Sequence, residues 1–197
     1  MSPLSEESST VARTEQEFTL DERRLLLQLA HEAILSSLER REIRQPTLSP
    51  HLTSLQRAVF ATLYLDGQLR GCVGHISAFL SVDQAVVQTA LAAAFDDSRF
   101  LPVTLPEAQN LEVSLSILSP LAPIRAEDIV IGRHGLLVSQ HARRGLLLPQ
   151  VPLEHNWDRI TFLEQTCQKA FLPKDAWQRG ATLEAFTAEV FGDRDLA

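Results

Sequence analysis

The stretch Arg57-Ala-Val-Phe-Ala-Thr-Leu-Tyr-Leu-Asp-Gly-Gln-Leu-Arg-Gly-Cys-Val-Gly-His-Ile76 reads as a β-hairpin. Residues 57–65 are β-rich and apolar on both faces, as a covered strand requires. Asp66-Gly67 is the dipeptide favoured by two-residue type I′ turns, where both central residues need positive φ. Residues 68–76 then return. Such a turn predicts Leu65 opposite Gln68, Leu63 opposite Arg70 and Ala61 opposite Cys72. Alternation puts Arg70 and Cys72 on one face and turns His75 to the other. Gly71 and Gly74 inside the return strand mark a bulge, or the close approach of another backbone or a ligand.

On the N-terminal side, Thr19-Leu-Asp-Glu22 is a capping-box pattern that opens a helix to about residue 39, with Leu26, Ala30, Ala33, Ile34 and Leu38 inward. Residues 1–17 are Ser/Glu-rich without apolar periodicity and read as a disordered tail, which leaves 18–197 as one folded domain. Residues 41–56, with Pro46 and Pro50, read as an extended loop. On the C-terminal side, Ser81-Val-Asp-Gln84 predicts a second helix through Phe95. Leu111, Val113, Leu115 and Ile117 alternate with polar residues along one strand. Residues 136–140 and 146–150 predict a second hairpin whose tip is residues 141–145. A helix over 158–170 presents Ile160, Leu163, Cys167 and Ala170, and residues 183–191 read as one final strand. Strands gathered in hairpins rather than βαβ crossovers predict an α+β fold: an antiparallel sheet with packed helices, in two lobes, with both hairpins meeting in one sheet.

Composition narrows the function classes. The 197 residues are 45% hydrophobic and 22% charged, enough apolar material for a well-filled core. A net charge of −7 argues against nucleic-acid and anionic-membrane partners, because neutralising phosphates takes a basic surface. Two cysteines are too few for a disulfide framework, and neither a leader pattern nor a long apolar run is evident, so the expected compartment is a reducing cytoplasm.

The candidate chemistry centres on Cys72. A guanidinium at Arg70, on the same face, would favour the thiolate; equally, Cys72 could be a small buried hydrophobe beside glycines that relieve crowding. Cys167 on its helical stripe reads as core. None of the histidines has metal-ligand spacing, so no metal is expected. Asp97 and Arg99 end the second helix as a solvated ion pair or as part of an anion site, and Arg144 sits at the second hairpin as a solubilising charge or an anion-facing group.

Taken together, Gly67-Gln-Leu-Arg-Gly-Cys-Val-Gly-His75, Ala93-Ala-Phe-Asp-Asp-Ser-Arg-Phe100, Arg143-Arg-Gly-Leu-Leu-Leu-Pro-Gln-Val151, Asn156-Trp-Asp158 and Cys167-Gln-Lys-Ala-Phe-Leu-Pro173 resemble, in order, the motifs of the AMMECR domain family. The resemblance spans about residues 20–192; Val73 stands where the family usually has Ile, and Ser98 where it often has Pro. It implies an α+β fold of two lobes with the Arg-Gly-Cys segment near a cleft. It also implies association with a Memo-type metalloprotein and a radical S-adenosylmethionine enzyme, admits a homodimer, and brings no established reaction or cofactor. Two functions follow as expectations. One is a catalytic or accessory protein in which Cys72 and Arg70 act beside a small-anion site formed by Gly71, Gly74, His75, Asp97, Arg99, Arg144 and Gln150 around one cleft. The other is an adaptor or regulatory protein with an inert thiol.

Overall fold

Thr19 closes the first turn of α1 (Leu20–Leu38) in the predicted capping box: its hydroxyl accepts the Glu22 amide, and the Glu22 carboxylate accepts the Thr19 amide. The computed structural model describes residues 17–196, so the expected tail lies outside the described residues except for Glu17. Glu17 is tied down: its amide donates to Glu189 at 2.7 Å and its carboxylate pairs with Arg57. The expected loop over 41–56 contains a short helix, α2 (Pro50–Ser54), capped by Ser49. Pro50 starts that helix rather than preventing it, because the first helical position has no use for an amide proton.

The strands form two four-stranded antiparallel sheets rather than one. In the first, β1 (Ala58–Leu65) lies between β2 (Gln68–Gly74) and β3 (Glu112–Leu118), and β8 (Ala188–Gly192) flanks β3. In the second the order is β4 (Ala122–Pro123), β7 (Thr182–Phe186), β5 (Gly135–Gln140) and β6 (Arg143–Leu147). The two hairpins therefore occupy different sheets. The expected final strand over 183–191 is divided between them, with Thr187 as the crossing residue. The chain makes its other crossing just after β3, and the two crossings are joined: the Ser119 amide donates to the Thr187 carbonyl, and the Thr187 amide to the Ser119 hydroxyl, each at 2.9 Å.

Helices α1 and α3 (Val82–Phe95) cover one face of the first sheet. Leu26, Ile34 and Val86 meet Ala61, Leu63, Leu115 and Ile117 there, all essentially inaccessible. Leu111, Val113, Leu115 and Ile117 are all buried, so the alternation of β3 was legible. Two four-residue helices, α4 (Leu105–Ala108) and α5 (Val151–Glu154), lie in the connections. Helix α6 (Arg159–Lys169) covers the second sheet through Phe162 and Leu163 against Leu136. Of its expected stripe Leu163, Cys167 and Ala170 are buried, but Ile160 is 45% exposed, and Phe162 and Thr166 complete the buried face. A smaller cluster joins the lobes, with Ala58, Phe60 and Leu118 of the first sheet against Leu146 and Phe186 of the second. No described helix is long and apolar enough to cross a membrane.

Candidate functional site

The hairpin turn has the predicted form, with Asp66 and Gly67 at φ 50° and 77°. Pairing starts in the predicted register, Leu65 with Gln68 and Tyr64 with Leu69, and then shifts. Beyond the shift Leu63 faces Gly71, Thr62 faces Cys72 and Phe60 faces Gly74, so Arg70 is the extra residue of a β-bulge. The expected pairings of Leu63 with Arg70 and Ala61 with Cys72 are thereby corrected. The change matters because a one-residue slip exchanges the faces of a strand. Ala61 and Leu63 point into the helices; Cys72 leaves that face and joins Thr62 on the other.

The glycines explain why the slip is tolerated. A Cβ on Gly71 would lie 2.1 Å from the Ala93 carbonyl oxygen of α3, and one on Gly74 would lie 2.2 Å from the Phe60 ring. Of the expected roles for these glycines, a bulge and the close approach of other parts of the chain are what the structure shows: Ala93 and Phe60 occupy the space beside them.

Cys72 is half-buried, and its Sγ accepts a hydrogen bond from the Thr62 hydroxyl at 3.3 Å. Because β2 is an edge strand, the outward amide and carbonyl of Cys72 have no strand partner. Two side chains take that place. The amide donates to Asp97 Oδ2 at 2.9 Å, and Arg99 Nη2 donates to the carbonyl at 3.3 Å. Asp97 and Arg99 are also bonded to each other, at 2.6 and 2.9 Å. The Arg99 guanidinium, helped by the Cys72 amide, holds the Asp97 carboxyl well below the usual carboxylate range despite some opposing burial. Asp97 is enclosed, with a side chain 6% exposed, whereas that of Arg99 is 55% exposed. A carboxylate and a guanidinium thus blunt the edge as a neighbouring strand would.

Arg70 is engaged elsewhere. Its guanidinium binds Glu107 of α4 through Nε at 2.9 Å and Nη2 at 3.2 Å, and donates to the carbonyls of Leu101 and Pro102. Arg70, followed by the Thr104 amide, brings the Glu107 carboxyl down to about 2. The expected pairing of Arg70 with the thiol is replaced by this ion pair.

The other expected site residues lie apart. Arg144 is inside β6, opposite Ser139, and lines the cavity between the sheets; the hairpin tip is His141-Ala142, shorter than expected. Gln150 starts α5 through its backbone carbonyl, and its side chain makes no capping bond. His75 is exposed and borders a second hollow beside α3. Cys72, Asp97 and Arg99 are brought together; Arg70, Arg144 and Gln150 do not join them in one cleft. Cys167 is fully buried as expected, and burial pushes its thiol up.

The family model for AMMECR1 matches residues 27–191. This chain belongs to the AMMECR1 family. It is 38% identical to protein MK0488 of Methanopyrus kandleri over 192 residues, covering 91% of this chain and 92% of that one. It is 36% identical to a protein of Aquifex aeolicus, covering 87% and 93%. The crystal structure of uncharacterized protein PH0010 from Pyrococcus horikoshii matches with a TM-score of 0.77 at 38% identity, covering 88% of this chain and 91% of that one.

In this AMMECR1-family chain, sequence reasoning missed two residues that shape the motif. Glu107 was findable as a helix start, since Thr104 and Glu107 form a capping box, but its bond to Arg70 spans 37 positions. Thr62 became the neighbour of Cys72 only through the bulge.

Proposed function

We propose that this AMMECR1-family protein is a cytoplasmic accessory protein that acts by binding, and that Arg70, Asp97, Arg99 and the backbone of Cys72 build a rigid sheet edge for that purpose. One observation carries the reading: the charges around Cys72 are already matched within the fold. Asp97 and Arg99 are spent on each other and on the Cys72 backbone, and Arg70 is spent on Glu107. Among the described residues, Sγ has a bond from a hydroxyl and none from a histidine or carboxylate that could serve as its base. The partners that the family resemblance suggests are a Memo-type metalloprotein and a radical S-adenosylmethionine enzyme. The net charge of −7 favours protein partners over nucleic acid.

Thiol chemistry at Cys72 is the second reading, favoured by the incomplete burial of the residue and the hydroxyl donor to its sulfur. A chromosomal Cys72→Ala substitution separates the two. An accessory role expects the folded variant to retain both its co-purifying partners, identified by mass spectrometry at native expression, and its cellular function. A variant that folds and keeps its partners yet behaves as a deletion strain would replace this reading with a reactive thiol.

A further inference from the structure

We propose that the cavity between the two sheets binds a small organic carboxylate with an apolar body, and that Arg144 is its anion anchor. The cavity, about 440 Å3, falls within the range of small-molecule sites, about 300–1,000 Å3. Ala58 and Leu118 line it from the first sheet, and Leu146 and Phe186 from the second, so the lobes together supply an apolar floor. The charged part of its lining has one sign. Arg57 and Arg144 face it, and among the described residues no Asp or Glu does, in a chain with 25 acidic residues against 18 Lys and Arg.

The two arginines differ in what they have left to give. Arg57 is bonded to Glu17 and to the Gln56 carbonyl, so its charge is largely met. Arg144 stands on edge strand β6, and among the described residues no carboxylate forms an ion pair with it. Its neighbour Arg143 points to the opposite face of the strand and donates to the Phe171 carbonyl at 2.7 Å. An arginine kept only to discourage edge pairing would serve on either face. That role does not account for a cavity clear of acids. One open guanidinium matches one carboxylate, which it can hold by two parallel hydrogen bonds. The ligand's apolar part would lie on the floor beneath the Phe79 ring, which borders the cavity and is 82% exposed.

This inference does not rest on the accessory-protein reading. Octanoate is the test ligand, octanamide its uncharged counterpart, and the full chain is titrated by isothermal calorimetry. We expect saturable octanoate binding about tenfold tighter than octanamide, a difference near 1.4 kcal/mol. Arg144→Gln brings octanoate down to the amide's affinity, Arg144→Lys recovers part of it, and Arg143→Gln leaves it unchanged. Equal binding of acid and amide, equal losses in the two glutamine variants, or no saturable octanoate binding would each overturn the proposal.

Discussion

Replacing Asp97 with alanine tests how much of the sheet edge rests on one carboxylate. The substitution leaves the half-buried Cys72 amide without its 2.9 Å partner. An amide stripped of its acceptor costs about 1–3 kcal/mol, and partial exposure at this edge favours the lower part of that range. The ion pair with Arg99 is lost as well, worth about 0–1 kcal/mol because the guanidinium is 55% exposed and screened by solvent. Together these predict about 1–3 kcal/mol, or roughly 2–12 °C in melting temperature at this chain length. Arg99→Ala removes the exposed ion-pair partner and its long bond to the Cys72 carbonyl, which water can replace at this edge, and leaves Asp97 to accept from the Cys72 amide, so its loss stays at or below about 1 kcal/mol. Circular-dichroism melts of the two variants give the comparison, and hydrogen exchange at the Cys72 amide locates the effect. Equal losses for the two variants, or an Asp97→Ala protein within about 0.5 kcal/mol of wild type, would refute the edge-clamp reasoning.

Three further outcomes follow from neighbouring contacts. Gly71→Ala drives a methyl into the Ala93 carbonyl and should destabilise by about 3 kcal/mol; an unchanged urea midpoint would show that α3 is free to move away. Under native conditions iodoacetamide should label half-buried Cys72 well before fully buried Cys167, and the opposite order by peptide mass spectrometry would contradict the burial. Glu107 sits at about 2 in the folded protein against about 4.3 when unfolded, so the folded state binds its proton less readily. Its contribution is present above about pH 4 and fades as acid approaches pH 2. Glu107→Gln should therefore flatten the stability loss between about pH 5 and pH 2, and an identical loss in both proteins would count against the Arg70–Glu107 pair.

Sequence by itself determined what depends on consecutive residues. The Thr19–Glu22 capping box, the Asp66-Gly67 turn, the alternation of Leu111 through Ile117 and the burial of Cys167 were legible, because caps, turns and periodicity are written within a few positions. Tertiary structure decided which side of the sheet Cys72 takes. The bulge at Arg70 adds no compositional signal beyond Gly71, and its position answers to the approach of Ala93 on α3, 22 residues further along. Only the assembled fold could divide residues 183–191 between two sheets, since their alternation is the same whether the neighbour is β5 or β3. The scattering of Arg70, Arg144 and Gln150 has the same origin. A guanidinium goes to the acceptor that packing brings within reach, and for Arg70 that acceptor is Glu107 rather than anything near it in the chain.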